Sequence, residues 1–432
     1  MADSSPLAAL RQRVMTDVTR RFFVRSHMAL IFMGLVLSGV LASKLLLVAG
    51  LRWMALRYIL AVICSYLVFF LKRVTRFPNC GIIRPMTTEL LSRRYAVDDL
   101  AQAIELCFEK GWTDGLPVVP PTAAQVRAML DVAGLEPEQQ VAFITNRQVA
   151  VTAEKVAINA VMAGCKPEYM PVVVAAIEGI ADPRWGYHGP ATSTAGAGVL
   201  MIVNGPIARA LEFNSGDNLF GPGWRANATV GRAVRLVMRN AIGTLPGKLD
   251  RGTLGHPGKY SYVIAENETD SPWAPLHVER GCRPEQSAVT VMAALAPHQF
   301  YNQLSNTAAG VLTTLCDAMR NPGMAGQPHY CVVLAGEHMR TIAAEGWSKA
   351  DIRKFVFENS KNSVAHFKRT GRMPGAIKPE DESTMRPLVL TPDDILVVAA
   401  GGRAGSFSCY IPGWASRTAS QAVTVVIKNG RR

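Results

Sequence analysis

The sequence predicts an α/β fold with a mixed or largely parallel sheet layered by helices, preceded by a transmembrane helical hairpin. The sheet follows from four short apolar runs that each stop at small or polar residues. The helical layers follow from amphipathic stretches of helical periodicity between those runs. The hairpin follows from two long apolar stretches near the N-terminus, which basic residues flank.

Composition divides the 432 residues into four segments. We predict a basic cytoplasmic N-terminus over 1–26, the hairpin over 27–72, a linker over 73–94, and a soluble α/β domain over 95–432 with room for two lobes. Residues 1–86 contain 12 Lys and Arg against 2 Asp and Glu, a net charge of +10 out of +13 for the chain. Basic charge concentrated in an apolar terminal segment indicates contact with a lipid bilayer and argues against a nucleic acid as partner.

The two apolar stretches are Met28–Gly50 and Trp53–Leu71. The first has 23 residues, which at about 1.5 Å per residue suffice for a hydrocarbon core of about 30 Å. Because basic residues precede the first stretch and follow the second, we predict that the soluble domain faces the cytoplasm. Arg52 and Arg57 in the connection leave open a single span followed by an interfacial helix.

The loop "GWTDGLPVVPPT" (Gly111–Thr122) follows a predicted amphipathic helix. Its three prolines fix φ and hold the chain extended, and Thr122 suits the N-cap of the next helix. The loop is therefore predicted to be a stiff strap docked onto the domain. An architectural role is the simpler interpretation of such a strap.

The four apolar runs are typical of strands buried on both faces of a sheet. They are Gly198–Pro206, Tyr260–Glu268, His329–His338 and Asp394–Gly402. Ligands of α/β folds tend to bind beyond the carboxyl ends of strands, so the polar residues that end these runs are site candidates. The alternative is that each is an ordinary transition from strand to loop.

The candidate catalytic residues are carboxylates and a histidine at strand ends, which suit general acid–base chemistry. They are Glu266, Glu268, Glu337 and His338. The candidate ligand-binding residues are polar side chains of strand ends and glycine-rich loops: Asn204, Asn214, Arg225, Asn227, Asn267, Arg403 and Ser406. No motif identifies a metal site or a cofactor, although "GEH" (336–338) and "HVE" (277–279) leave open a metal site assembled across the fold.

The segment Leu211–Asn240, "LEFNSGDNLFGPGWRANATVGRAVRLVMRN", contains the strongest candidate for a binding loop. It places polar side chains among glycines, directly before a predicted helix whose free N–H groups suit an anion. Arg225 could clamp a carboxylate or phosphate with two donors. The alternative is an irregular connection whose Asn residues cap their own turns.

The eight cysteines are scattered and form no CxxC pair, which argues against a structural zinc site and a disulfide scaffold. Cys165 lies at a predicted helix end beside Lys166, and one interpretation is a thiol whose pKa the nearby helix start and lysine lower. A small buried hydrophobic role is the simpler interpretation.

Six motifs together give a family resemblance over about 95–425. They are "GWTDGLPVVPPT", "AINAVMAGCKPEYMPVV", "GPGWRANATVGRA", "GKYSYVIAENE", "SPWAPLHVERG" and "GWSKADIR". The chain resembles a bacterial protein group associated with the UGSC-type (seleno)proteins. The predicted hairpin resembles short bacterial inner-membrane segments, so we expect a bacterial inner-membrane location. The UGSC motif itself is absent, since "AGSFSC" (404–409) lacks the selenocysteine or cysteine before Gly-Ser-Cys. The resemblance implies no settled activity, and the hairpin is an addition to the group's usual soluble form.

These observations favour a membrane-anchored enzyme that acts on a small anionic or polar organic substrate, by a reaction that the sequence does not identify. One alternative is a non-catalytic membrane-tethered protein that binds or senses a small ligand. A second alternative is a thiol-redox protein, which requires a reactive cysteine. A homo-oligomer is compatible with all three.

Overall fold

The computed structural model describes residues 89–321 and 326–428. All described residues belong to one compact unit, Thr88–Arg432.

Within the described residues, the strands form one large sheet and two small two-stranded ones. The small sheets are β1 (Gln140–Ile144) with β2 (Val149–Thr152) and β8 (Lys361–Ser363) with β9 (Met385–Pro387). The strands of the large sheet are β3 (Gly198–Asn204), β4 (Val263–Ala265), β5 (Ala288–Ala294), β6 (His298–Tyr301), β7 (Pro328–Leu334), β10 (Ile395–Ala399), β11 (Phe407–Ser416) and β12 (Val423–Val426). The four predicted apolar runs are therefore strands β3, β4, β7 and β10.

The large sheet is mixed, as predicted. Its strand order is β10-β7-β11-β5-β3-β4, with β12 also paired to β5 and β6 to β11. The pairs β3–β4 and β7–β10 are parallel, and the other pairs are antiparallel.

The two halves of this sheet repeat one hydrogen-bond register. In the first half, Ile202 lies opposite Ile264 on one side and Thr290 on the other. In the second half, Val333 lies opposite Val398 and Cys409 in the same arrangement. The parallel pairs end at Val203–Ala265 and at Leu334–Ala399, which makes position 203 equivalent to 334 and position 202 equivalent to 333. Each half contains a parallel pair followed by an antiparallel strand.

The repeat continues into the last strand of each half. Thr290 of β5 lies opposite Thr424 of β12, and the equivalent Cys409 of β11 lies opposite Gln299 of β6. Since β6 follows β5 in the chain and β12 follows β11, each half contributes its last strand to the other half. The halves meet where Gly413 pairs with Ala294.

Helices cover the outer faces of both halves. Within the described residues they are α1 (Leu100–Glu109), α2 (Ala123–Ala133), α3 (Ala153–Ala163), α4 (Met170–Ala181), α5 (His188–Thr192), α6 (Pro206–Ala210), α7 (Arg225–Asn240), α8 (Leu276–Glu279), α9 (Ala308–Arg320), α10 (Gly336–Ala344), α11 (Lys349–Asn359), α12 (Val364–Arg369) and α13 (Pro379–Ser383). Helices α3, α4 and α7 pack against the first half in one core, and α9 to α12 share a second core with the other half. A third core joins residues from the opposite face of both halves, such as Ile202 and Val333. Strands buried on both faces explain the continuous apolar runs.

The strap is docked through polar groups of α7 and the main chain of α3. Arg232 forms two hydrogen bonds of 2.8 Å with the Asp114 carboxylate and also donates to the carbonyl oxygen of Pro117. The amide N–H of Val119 donates to the carbonyl oxygen of Met162 at 3.1 Å. The contacts of the strap are architectural.

The membrane part of the predicted fold class requires correction. No helix in 89–321 or 326–428 is both long and apolar enough to span a bilayer. The longest of them, α7, has 16 residues, about 24 Å at 1.5 Å per residue, and one of its faces is polar. The predicted hairpin over 27–72 lies outside the described residues. For the described residues the fold class is corrected to an α/β fold without a membrane-spanning helix, and the same finding conflicts with the expected inner-membrane location.

Candidate functional site

A cleft lined by described residues, which we call the main cleft, lies at the carboxyl ends of β3 and β4 and has a volume of about 520 Å³. Polar and charged side chains dominate its lining, which includes Arg209, Glu212, Asn214, Glu266, Asn267 and Glu268. Four of these were predicted from the sequence as site residues. The carboxyl end of a parallel strand pair thus carries the main cleft, as is typical of α/β folds.

Glu266 is fully buried beneath this cleft, and both of its carboxylate oxygens accept hydrogen bonds. One oxygen accepts from Lys349 Nζ at 2.8 Å. The other accepts from Asn204 Nδ2 at 2.7 Å and from the amide N–H of Leu276 at 2.6 Å. With three donors, this carboxylate is suited to holding the strand ends and α8 in place rather than to accepting a further proton.

Lys349 continues a chain of alternating charges away from the cleft. Its ammonium also donates to the carbonyl oxygen of Ala274 at 2.8 Å and to Glu279 at 3.1 Å. Glu279 in turn accepts from Arg353 at 2.6 Å. Only 3% of the Lys349 side chain is exposed, so its charge depends on these partners.

Glu268 differs from Glu266 because one of its oxygens is unengaged. Oε1 accepts from Asn204 Nδ2 at 2.9 Å and from the amide N–H of Gly205 at 2.7 Å. No described residue donates a hydrogen bond to Oε2, and 28% of the side chain is exposed at the cleft. The carboxylate is held through one oxygen while the other can reach a bound molecule.

His277 lies behind Glu268. Its side chain is fully buried, and its Nδ1 is 3.9 Å from Glu268 Oε1. Among the described residues, neither ring nitrogen has a hydrogen-bond partner. An imidazole in this position adds a titratable neighbour to the cleft carboxylate.

Asn227 and Asn214 shape the loop that forms one wall of the cleft. The buried Asn227 accepts from the amide N–H of Asn214 at 2.8 Å and donates to the carbonyl oxygen of Val263 at 3.0 Å. Asn214 closes a turn by accepting from the amide N–H of Gly216 at 2.9 Å. These side chains satisfy the loop's own backbone, which is the alternative interpretation of this segment.

Arg225 is the first residue of α7, and its side chain is exposed. Its Nε donates to the carbonyl oxygen of Gly164 at 3.0 Å, at the end of α3. The neighbouring Trp224 lines the cleft. A ligand role for Arg225 stays a prediction.

Asn267 and Arg403 lie where the strand ends of the two halves meet. The amide N–H of Asn267 donates to the carbonyl oxygen of Ala399 at 2.7 Å, which joins the end of β4 to the end of β10. Arg403 forms two hydrogen bonds of 2.9 Å with Asp270. Asn267 Nδ2 donates to the same carboxylate at 3.0 Å.

Glu337, His338 and Ser406 form a separate polar cluster at the start of α10. Ser406 Oγ donates to Glu337 at 2.6 Å, and this hydrogen bond lowers the pKa of the Glu337 carboxyl. His338 Nδ1 is 2.8 Å from Ser408 Oγ, and burial lowers the pKa of its imidazole. Glu337 thus holds the glycine-rich loop through Ser406, and His338 contacts β11 through Ser408. The structure does not bring this cluster into the main cleft with Glu266 and Glu268.

Sequence reasoning missed four groups at the cleft: Arg209, Glu212, His277 and Lys349. The sequence "HVE" at 277–279 was noted, but only as part of a metal site. No set of three His, Cys, Asp or Glu side chains in 89–321 and 326–428 is arranged to hold a metal ion.

No protein-family model matches the chain, and a comparison with curated proteins finds no significant match. The resemblance to the UGSC-associated group stays a prediction.

Proposed function

We propose that the chain is an enzyme that uses Glu268 as a general acid–base group on a small polar organic substrate. The observation that carries this proposal is the asymmetry of the Glu268 carboxylate. One oxygen is fixed by Asn204 and Gly205, while the other has no donor among the described residues, and the Glu268 side chain lines the cleft. A positioned carboxylate of this kind can accept a proton from a bound hydroxyl, amine or carbon acid.

The surroundings of Glu268 support this assignment. Glu266 and Lys349 neutralise each other beneath the cleft, so their buried pair fixes the strand ends without adding net charge. The fixed end of Glu268 limits its motion, which favours catalysis because a reacting group must be held close to the productive geometry. The buried imidazole of His277 lies behind Glu268, with Nδ1 at 3.9 Å from its Oε1.

The buried thiols give little support to the thiol-redox alternative. Burial raises the pKa of Cys165 to about 12 and that of Cys409 to about 12. A thiol attacks as the thiolate, so these two cysteines are poor nucleophiles near neutral pH.

The test is a ligand screen that also detects chemistry. The full chain is mixed in D2O with a defined panel of small hydroxy and amino compounds, and saturation-transfer NMR reports binding while proton NMR reports conversion or loss of exchangeable C–H signals. We expect a bound compound to be converted by the wild type, to bind Glu268→Gln with conversion reduced at least about a hundredfold, and to be converted normally by the exposed control Glu285→Gln. Conversion by Glu268→Gln at the wild-type rate would refute the proposal. A compound that binds without any change would show a binding protein instead.

A further inference from the structure

We infer that the ligand of the main cleft is a small hydroxy or amino acid, whose carboxylate is bound by Arg209 while its hydroxyl or amino group contacts Glu268. This inference rests on the proposed function and names the substrate class of the same site. It follows from the internal repeat of the sheet, which contains a second arginine at the equivalent position.

The repeat equates Arg209 with Arg340. Val203 pairs with Ala265, and the equivalent Leu334 pairs with Ala399. Arg209 lies six positions after Val203, and Arg340 lies six positions after Leu334. Both arginines lie on the helix that follows their strand, α6 or α10. The fold therefore presents an arginine beside the strand ends twice.

The two arginines differ in what they bind. The guanidinium of Arg340 donates to the carbonyl oxygen of Arg403 at 2.8 Å, so the protein itself uses that group. The residue equivalent to Arg403 in the first half is Thr269, which lines the main cleft together with Arg209. The side chain of Arg209 makes no hydrogen bond or ion pair with any residue in 89–321 or 326–428, so its fork of donors is available to a ligand.

The charges of the cleft define the ligand that fits. Glu266 is compensated by Lys349, which leaves Arg209, Glu212 and Glu268 as the charged residues that line the cleft without that compensation. A simple anion would be attracted by the arginine and repelled by both carboxylates. A molecule with a carboxylate at one end and a hydroxyl or ammonium group at the other can pair its carboxylate with the arginine and its other group with the cleft carboxylates.

The equivalent position in the second half has a different environment. Glu268 corresponds to Gly402. In the first half, the amide N–H of Gly205 donates to the Glu268 carboxylate. At the equivalent position of the second half, the amide N–H of Gly336 donates to the carbonyl oxygen of Gly402 at 3.0 Å. The second half therefore has the arginine without the cleft carboxylate, and Arg340 provides a matched control for Arg209.

The experiment measures affinities of the full chain for hydroxy and amino acids of three to six carbons and for their primary amides, which lack the negative charge. Titration by ligand-observed NMR should show that the acids bind the wild type at least about tenfold more tightly than the amides, the effect of about one charge-assisted hydrogen bond. Arg209→Gln should remove this preference, Arg209→Lys should restore only part of it, and Arg340→Gln should leave it unchanged.

The inference is overturned if acids and amides bind the wild type equally, if no acid of the panel binds, or if Arg340→Gln removes the preference as fully as Arg209→Gln does. Glu268→Gln separates this inference from the proposed function. In that variant the preference for acids over amides persists while conversion is lost, whereas conversion that survives the change counts against the proposed function alone.

Discussion

Lys349 and Glu266 form a buried ion pair of 2.8 Å between α11 and the end of β4, 83 positions apart in the chain. The pair connects the outer helix layer of the second half to the strand end of the first. Removing one charge leaves the other buried with fewer partners, which costs more than removing an exposed charge.

Glu266→Gln should therefore lower the free energy of unfolding by about 3 kcal/mol, the lower end for a broken buried pair, because Lys349 keeps Glu279. Urea denaturation at neutral pH measures this loss. The matched control is Glu178→Gln, which removes a pair with Lys428, a side chain that is 77% exposed; it should cost at most about 1 kcal/mol. Equal losses in the two variants would contradict the role of the buried pair.

Gly205 connects β3 to α6 with φ of +84° and donates its amide to Glu268. A Cβ atom here would overlap the carbonyl oxygen of Gln286. Gly205→Ala should therefore lower the free energy of unfolding by clearly more than the cost of a left-handed backbone conformation alone, which is about 1–2 kcal/mol. The melting temperature should fall accordingly. Gly243→Ala is the control, since Gly243 has φ of +85° with open space around it. Similar melting temperatures for both variants would show that crowding at Gly205 is unimportant.

The strap contact gives a pH-dependent prediction. Burial alone would raise the pKa of Asp114, but the hydrogen bonds and charge of Arg232 outweigh it and hold the pKa below its usual value. Its stabilising contribution is therefore complete above the unfolded pKa of about 3.9 and is lost as the pH falls through the lower folded value.

Asp114→Asn should accordingly lower the free energy of unfolding by about 1–3 kcal/mol at neutral pH, and this difference should shrink as the pH falls below about 3.9. Denaturation curves at several pH values measure it. The exposed Asp317, paired with Arg320 on the same helix, provides the control Asp317→Asn, for which we expect no clear difference. A difference for Asp114→Asn that grows on acidification would exclude the ion pair as its cause.

The thiols provide a prediction on reactivity. Burial raises the pKa of Cys165 and Cys409 to about 12 and that of Cys316 to about 11. In the native protein near neutral pH, iodoacetamide should leave these three unlabelled while the half-buried Cys282 reacts first, as read by peptide mass spectrometry. All four should react in denaturant. Rapid native labelling of Cys165 would revive the thiol-redox alternative.

The strands and much of the main cleft were predictable because their signals are local. A run such as "YSYVIAENE" contains both the strand and the polar residues at its end, so Glu266 and Glu268 could be identified without knowledge of the partner strands. The role of each could not, because it depends on distant groups. Lys349 follows Ser348, which caps α11, and looks like an ordinary first-turn residue until the fold brings it to Glu266.

Other predictions were too broad for the same reason. Glu337 and His338 follow β7 at the positions that Pro206 and Ile207 occupy after β3. A rule that selects the residues after a buried strand as site candidates therefore selects the end of β7 as readily as the end of β3. Only the folded chain distinguishes the two places, because Glu337 is held by Gly405 and Ser406 while Glu268 lines the main cleft. The repeat also escaped detection, since it is a repeat of pairing register and the equivalent residues, Glu268 and Gly402 among them, are chemically different.

The exchange of last strands between the two halves makes them a single cooperative unit. If the chain were cut in the exposed loop at Leu304, the first piece would keep β6 without its neighbour β11, and the second would keep β12 without β5. Each piece would display an unpaired sheet edge that the other completes. Such fragments should be unstable when expressed apart and should reassemble when mixed, so fragment complementation, rather than independent folding of two lobes, is the behaviour that this pairing pattern dictates.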